Sequence, residues 1–408
     1  MHLLFDARVI QDHFPGIGRY AYNLLAALPA HLDEHDRVTA LFNPSVRNTR
    51  YPEFQSGLND SRIKWMEHRI TLFSPKNLLS ALPRAPRSPL DTPSIPSHYH
   101  PSPVSEPAVS LSKGPPFDLA HFTYYVRPLR SARPSITTIY DAISFVYPRY
   151  VPSAKSRLLI RLMHELAVLA SDGFITISQS AAADLQKFFP RMRGRTRVTP
   201  LAADAMFAPQ PTSAQARVCN ALNLAQPFAL YLASNKPHKN LEGLVRAWAL
   251  ICANERPFTL VIAGHQDPRY PQAQQLARSL GLQKHVRFIG DVPNADLPAL
   301  YSACALFVYP SLYEGFGLTP LEAMACGAPV ACSNASSLPE VAGDAAVLFD
   351  PGDPAALAAT CQLLLNDPAR LSEMRAQSLR QASRFSWDRC ARETVALYRD
   401  CDRDFPSV

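Results

Sequence analysis

Glu314 and Glu322, two glutamates with seven residues between them, carry the strongest chemical signal in this 408-residue chain. A carboxylate repels phosphate but accepts hydroxyls in pairs, so each suits one end of a polyol. Gly315-Phe316-Gly317 follows the first glutamate and lets backbone approach a ligand where side chains would block it. Thr319, Pro320 and Glu322 have the spacing of a capping box, with Thr319 as N-cap and Pro320 at the first helical position. Such a helix would present free amides and its dipole to an anion, stop at Gly327 and be barred from resuming by Pro329. Taken singly, Glu322 reads as a helix cap and Glu314 as a solvated loop residue. Taken together, the stretch suits a molecule that is phosphate in the middle and polyol at both ends, which describes a nucleotide-sugar.

Two more stretches are ready for anions. The apolar run Phe228 to Ala233 reads as a strand, and Asn235, Lys236 and Lys239 follow it directly before Asn240, which is expected to cap the next helix. Near the N-terminus, a first strand at His2 to Ala7 leads to Gly16 and Gly18 and then to a helical pattern over Ala21 to Leu28. Without a third glycine this is not a dinucleotide fingerprint. Asp141 stands at the carboxyl end of the strand Ile136 to Tyr140, the end at which open parallel sheets bind ligands. It reads either as a cap for the segment behind it or as a residue touching substrate.

The elements that must position these groups alternate strand and helix throughout, which predicts two doubly wound α/β sheets. Further strands are expected at Arg37 to Phe42, Arg62 to Met66, Asp118 to Phe122, Phe174 to Ile177, Arg197 to Leu201, Phe258 to Gly264, Val286 to Gly290 and Ala305 to Tyr309. Ala202 to Pro211 reads as a linker. Residues 83–116 hold ten prolines and seven serines, a composition that buries too little apolar surface to offset chain entropy and predicts a disordered insertion. Helices are expected at Pro354 to Leu365, at Pro368 to Arg384 and after Asp388. Asp400, Asp402 and Asp404 in the tail read as a solvated charge run, not as a metal site.

Hydrophobic residues make up 47% of the chain and charged ones 18%, which is globular. A net charge of +7 favours acidic partners, but no nucleic-acid motif occurs and the basic residues are scattered, so nucleic acid is not an expected partner. Eight cysteines, none in a Cys-x-x-Cys pair, read as free core thiols of a reducing cytosol. Asp6 and Arg8 stand where a signal peptide needs an apolar block, and no run approaches the ~18 apolar residues of a membrane span. The basic amphipathic helix expected at Lys155 to Leu169 is either an ordinary surface helix or one that lies on an anionic membrane.

The glutamate pair, the Lys239-Asn240 pair and the Gly16, Gly18, Arg19, Tyr20 opening together resemble the group 1 (family 4) glycosyltransferases, in family order and over nearly the whole chain outside 83–116. The resemblance implies the GT-B fold, two Rossmann-like domains with an interdomain cleft. Residues 1–203 would form an acceptor-side domain, 204–384 a nucleotide-sugar domain, and 385–408 a helix returning to the first. It implies that Glu314 lies by the donor sugar, that the backbone of Gly315, Phe316, Gly317 and Leu318 contacts sugar and phosphate, and that Glu322 holds the ribose. Lys239 would neutralise the leaving diphosphate, with Asn235 or Lys236 near the place of the family's assisting arginine. Gly16 and Gly18 would lie against donor phosphates or acceptor, and Asp141 joins Lys239 and Glu314 as a catalytic candidate. Tyr140 replaces the histidine that usually precedes that aspartate.

The form of these motifs is most similar to bacterial mannosyltransferases of surface polysaccharide synthesis. This implies GDP-mannose as donor, a glycan or lipid-linked saccharide as acceptor and retention of configuration, with no metal and no cofactor beyond the donor. Cytoplasmic location with contact at the inner face of a membrane goes with it. A nucleotide-sugar epimerase on the same fold and a non-catalytic subunit of a polysaccharide assembly complex are the alternatives.

Overall fold

The computed structural model describes residues 1–49, 51, 54–69, 72, 117–129, 131, 134–253 and 258–404. The Pro/Ser-rich stretch 83–116 lies outside them. The first sheet contains β1 (His2–Asp6), β2 (Arg37–Phe42), β3 (Ile63–Glu67), β4 (Leu119–Phe122), β5 (Ser135–Thr138), β6 (Gly173–Thr176) and β7 (Thr196–Val198). Its strand order is β3-β2-β1-β4-β5-β6-β7. The second contains β8 (Phe228–Leu232), β9 (Thr259–Ala263), β10 (Val286–Gly290), β11 (Leu306–Tyr309), β12 (Val330–Ser333) and β13 (Ala346–Phe349), in the order β10-β9-β8-β11-β12-β13. Parallel pairing sets Leu3 opposite both Val38 and Leu119, and Phe307 opposite both Leu230 and Val330.

The central strands are short apolar runs because both faces are covered by helices. Leu3, Leu4 and Phe5 in β1, and Phe228 through Tyr231 in β8, are fully buried or nearly so. Each sheet builds outward from its first strand and then returns to add the fourth strand on the other side. The two switch points, β1 beside β4 and β8 beside β11, are where this topology opens a crevice at the carboxyl ends of the strands.

By contact density the chain divides into two compact units. One is Met1–Thr138, Met163–Phe174 and Val395–Val408; the other is Ile139–Leu162 and Ile175–Thr394. In the first, buried His121 of β4 hydrogen-bonds Tyr398 of the last helix (Trp387–Asp404) at 2.6 Å and Thr138 at 2.8 Å. In the second, Trp248 is fully buried in the helix Leu241–Cys252 and its indole N–H donates to the Phe258 carbonyl at 2.8 Å. All eight cysteines are free, seven of them buried.

Local details depart from the sequence-based expectation. The strands β12 and β13, four residues each, and the helix Thr212–Ala221 were not anticipated; their apolar runs are too short to carry a period. The first helix spans Pro15–Ala27, so Gly16 and Gly18 occupy its opening turn and not a loop before it. Pro15 preorganises that start, and the Gly18 amide donates to the Phe14 carbonyl at 2.7 Å.

The helix after Glu314 spans Leu318–Ala325, with Gly317 at N-cap, φ 109°, and no side-chain cap. The capping box is therefore not formed: glycine alone adopts this φ without strain, and Thr319 stands inside the helix instead of at its cap. Asn240 stands at the N-cap of the helix Leu241–Cys252 but makes no capping bond. Its amide donates instead to the carbonyls of Pro310 and Pro351 at 3.1 and 2.7 Å.

Candidate functional site

At the second switch point the loops leaving β8 and β11 run side by side. The His238 carbonyl accepts from the Leu312 amide at 2.7 Å and from the Ser311 hydroxyl at 3.0 Å, which staples the loops together. This brings Lys239 against Glu314. The Lys239 ammonium donates to Glu314 Oε1 at 2.6 Å and to the Tyr309 hydroxyl at 2.8 Å. Both side chains of the ion pair are 14% exposed, so it is desolvated yet reachable.

Burial pushes the Glu314 carboxyl upward, but Lys239, by its charge and its hydrogen bond, outweighs it and holds the group below its ordinary value, ionised. Burial, reinforced by Lys239, brings His238 down to about 4, so this ring is neutral at pH 7. Burial raises Tyr309 well above the usual phenol range; it keeps its proton beside the carboxylate.

Three serines hold the backbone that carries Glu314. Ser336 Oγ accepts from the Glu314 amide at 2.8 Å, Ser337 Oγ donates to the carbonyls of Glu314 and Phe316 at 2.9 and 2.7 Å, and Ser178 Oγ donates to the Gly315 carbonyl at 2.7 Å. A Cβ added to Gly315 would meet both the Asp141 Cβ and the Tyr140 carbonyl at 2.8 Å. That glycine is thus required by the protein itself, because Asp141 packs directly upon it.

Asp141 Oδ1 accepts the Ile143 amide at 2.9 Å. Burial raises its pKa, with Glu314 adding to the rise and Lys239 and Lys236 opposing it. Tyr313 closes this corner, donating to Asp184 Oδ2 at 3.2 Å and accepting the Ala142 amide at 3.3 Å. The structure therefore brings Lys239, Glu314, Gly315 and Asp141 together, although they are far apart in sequence.

The other expected residues fall elsewhere. Glu322 is buried on the helix that follows, where the Tyr301 hydroxyl donates to Oε2 at 3.4 Å. Phe316 is buried and meets the Phe385 ring edge-on, and Leu318 begins the helix. The Asn235 amide is fully committed to the next loop. Nδ2 donates to the carbonyls of Asp267 and Tyr270 at 3.0 and 2.8 Å, and Oδ1 accepts the Asp267 amide at 2.8 Å.

Lys236 is exposed beside a cavity of about 290 Å³ that Arg149, Tyr150 and Tyr270 also line. Gly16 and Gly18 belong to the first unit. A Cβ on Gly18 would sit 2.9 Å from the Val9 carbonyl, whereas Gly16 faces open space. Ser178 reads in the sequence only as the polar cap it also is, accepting the Ala181 amide, and Ser336, Ser337 and Tyr309 carry no site signal of their own. Ser336-Ser337 reads only as a polar turn until the loop it braces is in place.

Among the described residues, no group of three or more His, Cys, Asp or Glu gathers as a metal site would require, and no helix is long and apolar enough to cross a membrane.

A family model described as glycosyl transferases group 1 matches residues 214–383, the stretch that carries Lys239, Glu314 and Glu322. The chain is 35% identical over 281 residues to the O-antigen chain mannosyltransferase B of Escherichia coli, an alignment covering 68% of this chain and 73% of that one. It is 37% identical over 222 residues to the serotype-specific mannosyltransferase WbdA of Escherichia coli, covering 53% of this chain and 27% of that longer protein. The structure of sucrose-phosphate synthase from Thermosynechococcus elongatus matches with a TM-score of 0.68 over 99% of this chain and 100% of that one, at 21% identity, a likeness of fold. With the two-domain α/β architecture of GT-B and a relative aligned over most of its length, the chain belongs to the group 1 glycosyltransferases.

Proposed function

We propose that this glycosyltransferase moves mannose from GDP-mannose to a glycan or lipid-linked saccharide with retention of configuration and without a metal. The carrying observation is the half-sealed Lys239–Glu314 pair at the second switch point. A donor diphosphate arriving there competes with Glu314 for the Lys239 ammonium. The bond from the sugar C1 to the diphosphate oxygen breaks, and that oxygen keeps the electron pair. Lys239 and the amides opening the helix Leu318–Ala325 stabilise the charge on it. The acceptor hydroxyl oxygen forms the new bond on the same face of C1 and its proton passes to a donor phosphate oxygen.

Glu314, released from Lys239, accepts sugar hydroxyls, Glu322 accepts from the ribose, and Asp141 sits behind Gly315 as a positioning group. Gly16 and Gly18 contact donor phosphates or acceptor in this reading, and Lys236 adds charge at the rim. Similarity to two proteins named as mannosyltransferases, one of them for the O-antigen chain, supports the sugar. An acceptor carried on a lipid makes contact with a membrane surface part of the same reading.

The test is turnover of a panel of nucleotide-sugars, with and without a chelator, by the wild type and by Glu314→Ala, with the anomeric configuration of the product read by NMR. Slow release of GDP from GDP-mannose alone, lost in Glu314→Ala and unaffected by the chelator, is expected. Inverted product, or preference for another donor, overturns the corresponding part.

A further inference from the structure

The helix Ala154–Ala170 presents apolar side chains to water as well as to the protein. Its inward side carries His164, Ala167 and Val168, all buried. Its outward side carries Leu158, Leu159, Leu162 and Leu169, which are 71, 57, 48 and 52% exposed. Successive positions on a helix advance by about 100°, which places Leu158, Leu162 and Leu169 in one stripe with Leu159 and Lys155 at its edge. Among the described residues, twelve large apolar side chains are exposed, and four of them stand on this one helix. A soluble surface helix keeps its leucines inward, so an exposed stripe of this kind is a surface that an apolar partner would cover.

Charge identifies the occupant. From Ala142 to His164 the chain holds Arg149, Lys155, Arg157 and Arg161 and no acidic residue. Lys155 and Arg157 are exposed, while Arg161 donates to the Phe188 carbonyl and stacks on Phe189. Glu165 is the sole acidic residue of the helix and is partly buried. Leucines that enter the acyl boundary, flanked by cations that stay at headgroup level, are how an interfacial helix binds an anionic bilayer. We propose that the Leu158, Leu159 and Leu162 face, with Lys155 and Arg157, docks on the anionic lipid surface of a membrane. This gives residues to the membrane contact named above and is independent of which donor the protein uses.

The test is co-sedimentation of the full chain with vesicles of phosphatidylcholine alone and of phosphatidylcholine with phosphatidylglycerol. Thermal unfolding and nucleotide-sugar binding serve as folding controls. Wild-type protein is expected to sediment with the anionic vesicles and not with the neutral ones, and to be released as salt rises from about 0.1 M to about 0.5 M. Leu158→Asp with Leu162→Asp should weaken binding tenfold or more, and Lys155→Glu or Arg157→Glu by about fivefold or more each, with melting and donor binding unchanged. Equal binding to both vesicle types, no binding by the wild type, or a dimer in solution that Leu158→Asp dissociates overturns the proposal, the last by making the face a contact between copies. Donor binding that fails while vesicle binding holds counts against the transferase reading alone.

Discussion

The two sheets place an ion pair at the same topological position, just beyond the carboxyl end of the first strand, and use it for opposite purposes. In the first sheet Arg8 folds back on Asp6 at the end of β1. Nε donates to Oδ1 at 2.8 Å and Nη2 to Oδ2 at 2.6 Å, with the side chains 1 and 4% exposed. The planar fork matches the carboxylate at two points, and no ligand could replace one partner without unburying the other. In the second sheet a lysine makes a single point contact with a glutamate, both partly exposed. That pair can open. The guanidinium pair is a structural lock and the ammonium pair is the one we propose as a site, and the difference lies in geometry and access, since the strand order around them is alike.

The largest effect that sharpens this contrast is on stability. Arg8→Met leaves Asp6 charged and buried, and should lower the unfolding free energy by about 3–5 kcal/mol, read by denaturant titration. Lys239→Met should shift the midpoint less, because Glu314 keeps solvent access. Next comes activity. On the proposed mechanism Lys239→Ala removes the cation that faces the leaving diphosphate and should reduce turnover by about 100- to 1,000-fold in single-turnover assays. Retained turnover in Lys239→Ala would place the chemistry elsewhere.

Gly315→Ala forces Asp141 and the Tyr140 carbonyl apart and should destabilise by about 1–3 kcal/mol by thermal melting. Gly16→Ala, with open space around it, should melt like the wild type, so any loss of turnover there reports ligand contact.

The subtlest effect to read is pH-dependent. Burial brings His121 down to about 3, with Asp6 opposing the shift, while an unfolded histidine titrates near ~6.5. Between those values the unfolded chain binds a proton that the folded chain refuses. Its contribution is therefore complete above pH ~6.5 and falls by up to about 1.4 kcal/mol per pH unit below it. Urea midpoints of wild type and His121→Gln from pH 7 to 5 should differ in slope accordingly. His238, brought down to about 4, acts in the same direction over a narrower window.

Much of the frame was legible in advance because parallel strands covered on both faces are written as uninterrupted apolar runs. All of β1 to β11 could be located, most within a residue or two of the observed bounds. β12 and β13 could not, since Val330–Ser333 and Ala346–Phe349 sit among prolines, glycines and serines where four residues show no pattern. Caps were the least legible features. Thr319 and Asn240 have the right chemistry to cap a helix, but Thr319 stands inside the helix that Gly317 opens, and the Asn240 amide goes to two proline carbonyls.

By itself the sequence determined the alternation of strand and helix, the positions of Lys239, Glu314 and Gly315 at strand ends, and the kind of molecule those groups suit, because periodicity and residue chemistry are local properties. Only the tertiary structure decided that Lys239 holds Glu314, that Gly315 is small because Asp141 lies against it, that Asn235 serves a loop, and that the leucines of Ala154–Ala170 face outward. Each of these depends on which surfaces a folded chain brings within a few ångströms of one another, and that is set by packing between segments distant in sequence, which no local pattern encodes.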